Sequence, residues 1–316
     1  MEMKKIQLKG KKWEALGAIL LAAAFIIPAL SFASTKTKLY VNGSVLNSGN
    51  GSIDRPYKTI SQALSVSAKN TEVHVANGTY IENIVIPKGV SVFGENKDSV
   101  RIIANTNDDP TVVMKDNSKI NKVTIEKGEI GIRVDKDSKA SIIKVVVKDS
   151  KHDGIKIKDG GDDNDKVSIT DSTIKNNDKS GIYAKDRRVV LINNDIHDND
   201  NDGVVFDAGV KAWVEKNTIK DNDGSGIRVV LDDADVWTKK NTIRDNGREG
   251  VEIDAFGRNG RVDLNGNKFN SNDNFAVAKI QRSFFNASVW NGLTVENSTF
   301  TDSAKGKVSP VIRIIK

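Results

Sequence analysis

The 316-residue chain has no cysteine. That excludes disulfides, thiolate zinc sites, cysteine nucleophiles and a lipoprotein anchor. Histidine is scarce: His74, His152 and His197 are the only three, which leaves little for a histidine-built metal centre. Aromatic residues make up 6% of the chain, and only one long apolar run exists, which excludes a multi-pass membrane protein. With 38% hydrophobic and 28% charged residues, and apolar residues recurring at a fixed period, a disordered chain is also excluded.

The apolar run belongs to a targeting segment. Lys4, Lys5, Lys9, Lys11 and Lys12 form a basic n-region; Ala15 to Leu30 is apolar and carries Pro28; Ser31-Phe32-Ala33 offers small residues where a signal peptidase reads. Residues 1–33 are therefore expected to be a signal peptide, with an uncleaved anchor as the alternative. Removal leaves 43 basic and 40 acidic residues, a net charge of +3. So mild a balance gives no argument for a nucleic-acid partner. The expected location is secreted, periplasmic or cell-surface, with no stable membrane insertion after cleavage.

An internal repeat governs the remainder. Gly131-Ile132, Gly154-Ile155, Gly181-Ile182, Gly203-Val204, Gly226-Ile227, Gly250-Val251 and Ala276-Val277 recur at spacings of 23, 27, 22, 23, 24 and 26 residues. The unit reads roughly N-x-I-x-x-N-x-x-x-G-[IV]-x-[IV]. Apolar residues alternate with period two in short runs, the pattern of strands and not of helices. Three short strands per unit cannot form a core alone, but stacked units bury a continuous one. Asparagines in register can then hydrogen-bond along the stack and satisfy turn groups that would otherwise be buried and unpaired. The expectation is an all-β, right-handed parallel β-helix, a single-stranded solenoid with a short N-terminal capping helix. Its expected divisions are a cap segment over residues 34–70 and the β-helix over 71–316. Thr59 to Ala68 is the expected helix, with Ile60, Ala63 and Leu64 on one face, and Val311 to Ile315 reads as a last strand.

These coils resemble the parallel β-helix repeats of the pectate-lyase-like superfamily. The entry segment resembles the start of its secreted members: Pro56-Tyr57-Lys58-Thr59-Ile60, Val73-His74-Val75-Ala76-Asn77-Gly78-Thr79-Tyr80 and Gly89-Val90-Ser91-Val92-Phe93-Gly94. The resemblance covers about residue 37 to the end. It implies a fold that serves lyases, hydrolases, esterases, epimerases and non-catalytic surface proteins alike.

In that superfamily ligands usually lie along the outer face of one strand ladder. The strand after each glycine offers a mixed, rather basic stripe around Lys156, Lys158, Tyr183, Lys185 and Arg228, a surface for an anionic polysaccharide or, more plainly, a solvated sheet face. The turn before that strand is where the family's hydrolases place their acids. Asp153 and Asp202 sit there two coils apart, roughly 9–10 Å from two strand spacings, with His152 beside Asp153. Inverting glycosidases hold their carboxylates about 6.5–9.5 Å apart. The family's paired-aspartate, Gly-His-Gly, Trp-x-Asp-His and Arg-x-Pro-x-x-Arg signatures are absent, and turn formation alone accounts for Asp, Ser and Gly at these positions.

Asp178, Asp200 and Asp223 hold one position in consecutive coils, and Asp198-x-Asp200-x-Asp202-Gly203 has calcium-loop spacing, though Gly209 stands where its bidentate Glu is needed. Calcium at Asp178, Asp198, Asp200 and Asp223 and solvated turns are the two readings. Trp213 and Trp237, 24 residues apart, should both point outward and offer an apolar surface for sugar rings or for a packing loop. Polysaccharide or surface-glycan binding is the leading functional expectation. A polysaccharide lyase, inverting hydrolase or epimerase is the alternative.

Overall fold

The computed structural model describes residues 36–160, 165–255, 259–281 and 290–313. The expected signal peptide lies outside the described residues, and so do residues 282–289, the stretch before Trp290 that would supply a packing loop over Trp213 and Trp237.

From Lys36 onward the chain is one unit. It coils through three parallel sheets, of eleven, ten and ten strands, and each strand pairs with the equivalent strand one coil away. Sheet I runs from Thr37–Val41 to Leu293–Glu296, sheet II from Gly78–Ile81 to Thr299–Thr301, and sheet III from Ile84–Ile86 to Gly306–Arg313. One coil shows the unit: Arg188–Ile192 in sheet I, Asp195–His197 in sheet II, Val204–Phe206 in sheet III. The strand Thr37–Val41 pairs with Thr71–Val75, so the expected cap segment supplies the first strand of sheet I. The strand expected at Val311 begins earlier, at Gly306, and pairs with Phe275–Gln281.

The repeat turns alternate residues of each strand inside. Ile132, Ile155, Ile182, Val204, Ile227 and Val251 are register partners in sheet III, all fully buried. Their preceding glycines are required by close approach: a Cβ on Gly203 would stand 2.7 Å from the Gly226 carbonyl oxygen and 2.9 Å from Asn222 Nδ2. Both corners flanking sheet II use the same two-residue device. The first residue takes a left-handed conformation (Asn193 φ 57°, Asp198 φ 54°), which Asn and Asp tolerate better than most. The second is a buried asparagine. Asn194, Asn217, Asn241 and Asn267 form one ladder, with Nδ2–Oδ1 distances of 2.9, 3.0 and 2.9 Å. Asn177, Asn199, Asn222, Asn246 and Asn272 form the other, at 2.8, 2.8, 2.9 and 2.9 Å. Each Oδ1 also accepts a backbone N–H from the previous coil, as at Asn199 N to Asn222 Oδ1, 3.2 Å.

A helix forms at Ile60–Ser65, shorter than the Thr59–Ala68 span expected. Thr59 caps it in a capping box with Gln62, and Ile60, Ala63 and Leu64 are buried. It packs against Thr37–Val41, Thr71–Val75 and Ile84–Ile86, the strands of the first coils. No helix among the described residues is long and apolar enough to cross a membrane.

Candidate functional site

The outer face of sheet III brings most of the expected site residues together. Lys156, Tyr183, Val205, Arg228 and Glu252 are successive register partners. Lys156 Nζ lies 5.4 Å from the centre of the Tyr183 ring and 3.9 Å from Asp153 Oδ2. The Tyr183 hydroxyl donates to Asp207 Oδ2 at 2.5 Å. Burial and this carboxylate both raise the Tyr183 pKa, so the phenol stays protonated and serves as a donor.

Arg228 is the centre of a denser cluster. Its Nε and Nη2 hold Asp254 Oδ2 at 2.7 and 2.6 Å, and its Nη1 lies 3.9 Å from Asp202 Oδ2. Arg248 Nη2 holds Glu252 Oε2 at 3.0 Å. Ser225 donates its hydroxyl to Glu252 at 2.7 Å and its backbone N–H to Asp202 Oδ1 at 2.8 Å. Asn274 reaches Glu249 at 3.2 Å. Asp202, Glu249, Glu252 and Asp254 are all buried, and Asp202 Oδ2 has no hydrogen-bond partner.

Burial sets the protonation here. It pushes Asp202 up to about 6, against the Ser225 N–H, with the neighbouring Glu252 charge adding to the rise and Arg228 and Arg248 opposing it. Burial also raises Asp153, opposed by Lys156 and Lys179, and raises Glu249 together with Glu252. On Arg228, burial works against the charge, but the contacts with Asp254 outweigh it and the pKa rises.

The basic stripe is therefore largely neutralised. Arg133 and Lys115 share Asp135, Lys156 stands near Asp153, and Arg228 is held by Asp254. Only Lys158 and Lys185 of the stripe are exposed. His152 is turned to Glu129, 3.6 Å from Nδ1 to Oε1. Glu249, Glu252 and Asp254 were visible as members of the repeat columns. Nothing in the sequence singled them out, because their importance comes from convergence on Arg228 and Arg248.

The four proposed calcium ligands are exposed turn residues. Asp178, Asp200 and Asp223 each donate a backbone N–H to the previous coil, and Asp198 contacts His197 Nδ1 at 2.5 Å. Among the described residues no group of three or more His, Asp and Glu side chains converges as a metal site.

Sheet I has a different outer face. Trp213 and Trp237 are register partners, as the repeat requires. Trp213 is 39% exposed and donates Nε1–H to Glu215 at 3.1 Å. The two indoles line a depression of about 260 Å³ with Lys239, Arg261, Asp263 and Glu296. The Trp290 ring nitrogen donates to the Gly260 carbonyl at 2.9 Å. At the other end of this face, Tyr40, His74 and Phe93 stack with centroids 5.4 and 5.6 Å apart, and Lys119 lies 5.2 Å over Phe93. From the sequence, His74 was given no part in such a stack. The signal was available: Tyr40, His74 and Phe93 occupy one position of the entry strands.

No curated protein sequence matches this chain. Its fold is similar to several solved structures. Pectate lyase Pel9A superposes with a TM-score of 0.61 at 16% identity, covering 84% of this chain and 79% of that one. XylC, solved in complex with xylose, gives 0.64 at 11% identity, covering 84% and 68%. Alginate lyase from Paenibacillus sp. str. FPU-7 gives 0.59 at 10% identity, covering 80% and 96%. At such identities the likeness is one of fold. The right-handed β-helix region family matches over residues 45–185 and 130–300, and the chain belongs to that family.

Proposed function

We propose that this chain is an exported β-helix protein that binds a polysaccharide or another surface glycan along the outer face of sheet I. The observation that carries the reading is the depression shared by Trp213 and Trp237. Indole surface and hydrogen-bonding side chains sit side by side on a sheet that needs no further ordering to receive a chain. The basic n-region and apolar run at the N-terminus support export, and the helix Ile60–Ser65 serves as the cap of the first coils. The fold is shared with proteins named as pectate and alginate lyases, which fits a polysaccharide partner.

A glycan array on residues 34–316 tests the reading, with Trp213→Ala and Trp237→Ala as variants. Each substitution should weaken glycan binding at least several-fold while leaving the far-UV circular dichroism unchanged. Binding equal to the parent in both variants would remove sheet I as the glycan surface.

A second reading rests on Asp153 and Asp202, both buried and both held above the ordinary carboxylate range. A carboxyl raised to about 6 suits a general acid, and the two would serve a lyase, inverting hydrolase or epimerase. Reducing-end and unsaturated-product assays on polygalacturonate and alginate separate the readings. Turnover that is abolished in both Asp153→Asn and Asp202→Asn establishes the enzyme; no product from the parent leaves glycan binding.

A further inference from the structure

The stretch of sheet I between the two aromatic clusters carries a ladder of cations. Lys166 and Arg188 are register partners in adjacent strands, and Lys211 follows in the next. Lys139 immediately precedes the strand Ala140–Ile143, one coil before Lys166. Lys139, Lys166 and Arg188 are exposed, and among the described residues none of the three forms an ion pair. Side chains one strand spacing apart begin about 4.8 Å from each other. Like charges at that separation repel unless an anion lies between them or they splay into water.

The surface beside this ladder suits an anion that arrives on a sugar chain. Lys139 and Lys166 line one depression of about 300 Å³ with Asn117, Ser118, Ser141 and Ser168. Ser118 and Ser141 also line the next depression towards the N-terminus, about 230 Å³, which Lys119 borders. Ser141 and Ser168 are register partners on the outer side of their strands, half-buried beside the cations. The columns beside the cations are uncharged for several coils: Ser141, Ser168 and Val190 in one, Asn121, Ile143 and Thr170 in the other. Cations, hydroxyls and apolar patches thus run in parallel lanes along the solenoid axis.

We infer that sheet I holds a linear glycan bearing repeated anionic groups, with Lys139, Lys166 and Arg188 facing the anions and Ser141 and Ser168 facing ring hydroxyls. The inference rests on the glycan-binding reading and adds the ligand's charge, its direction and a set of residues. It also moves the anionic recognition from sheet III, where Lys156 stands near Asp153 and Arg228 is held by Asp254, to sheet I. The anionic group is a carboxylate or a sulfate, both of which accept the same hydrogen bonds.

Isothermal titration with sodium polygalacturonate, heparin and neutral xylan at 50 and 300 mM NaCl tests this. The parent should bind one or both charged glycans, prefer them to xylan, and weaken as salt rises. The double variant Lys166→Gln/Arg188→Gln should lose about tenfold in affinity for the charged glycan and show a shallower salt dependence, with xylan binding unchanged. Lys139→Gln, at the margin of the strand, is the second variant if the double one folds poorly, and should lose less in the same direction. Polygalacturonate alone or heparin alone as the better ligand identifies the anion. Parent-like affinity in the charge variants, with binding lost in Trp213→Ala, would overturn the ladder and leave the glycan reading standing. No binding of any glycan by the parent would overturn both. Equal affinity for duplex DNA of matched charge would overturn the glycan assignment in favour of unspecific polyanion attraction.

Discussion

The outer faces of sheets I and III are built from the same repeat, yet they treat charge in opposite ways. On sheet III, Glu252 and Asp254 are fully buried, and two arginines hold them. On sheet I, Lys139, Lys166 and Arg188 stand exposed without ion pairs among the described residues, and indoles line a depression. A solenoid fixes where side chains point but not what meets them there. Sheet III has its counter-charges supplied within the chain, which makes that region a structural joint. Along Lys139, Lys166 and Arg188, sheet I leaves them to be supplied from outside. The basic stripe seen in the sequence was thus assigned to the face where carboxylates neutralise it.

The contrast predicts unequal costs for removing an arginine. Arg228→Met takes the cation from between Asp202, Glu252 and Asp254. Breaking a buried pair by deleting one partner leaves uncompensated charge, and part of it can be relieved by water because Arg228 is partly exposed. A loss of about 2–4 kcal/mol is expected in urea unfolding. A loss below about 1 kcal/mol would mean that sheet III is as open as sheet I, and the contrast would collapse.

Asn222→Leu tests the frame that both faces share. It removes the Nδ2 donor to Asn246 and the Oδ1 acceptor of two bonds from Asn199, all buried. The expected loss is about 1–3 kcal/mol, read as a lower melting temperature. An unchanged melting temperature would show that the ladder contributes nothing beyond what water supplies.

Asp202→Asn should act in the opposite direction. The amide keeps the acceptor for the Ser225 N–H and removes a charge that burial and Glu252 disfavour. The folded-state pKa is raised to about 6, so the unfolded chain loses this proton first as pH rises. Wild-type stability from this group is fully present below the unfolded pKa near 4, declines between about 4 and 6, and stays low above. The variant should therefore match the wild type at low pH and exceed it by about 1–3 kcal/mol at pH 7. Melting temperatures across pH 3.5–8 check this; a variant less stable at pH 7 would show that Asp202 is needed as the partner of Arg228.

Much of the architecture was legible because the repeat is strict. Glycine spacing, period-two alternation and in-register asparagines each demand stacked parallel strands, and three sheets and two ladders result. The left-handed corner residues were not read, because Lys122, Lys144, Lys216 and Lys240 share that position with Asp171 and Asn193, and lysine carries no turn signal. The functional faces were less legible. Sequence columns show which residues stack within one sheet. They do not show that Asp202 and Glu249, in the corner turns, reach Arg228 and Arg248, since that depends on how a corner folds back on its strand. The cation ladder was equally visible in the columns as Lys166, Arg188 and Lys211, but it lies on a strand that no glycine of the repeat marks.

The smallest expected stability change is the most discriminating between the faces. Arg188→Met lies on sheet I, at the first residue of its strand, whereas Arg228 is the second residue of its strand on sheet III; both are outward-facing. Arg188 is exposed and makes no ion pair among the described residues, so no buried charge is stranded when it goes. Removing it also relieves repulsion with its register neighbours Lys166 and Lys211. Exposed substitutions of this kind stay within about 0.5 kcal/mol, and relief of repulsion sets the sign as slightly stabilising at low salt. Raising the salt should erase that gain, because the repulsion is screened over about 10 Å at 0.1 M. Urea midpoints at 20 and 300 mM NaCl provide the measurement. A clear destabilisation at both salts would show that Arg188 has a partner within the chain, and sheet I would then resemble sheet III instead of contrasting with it.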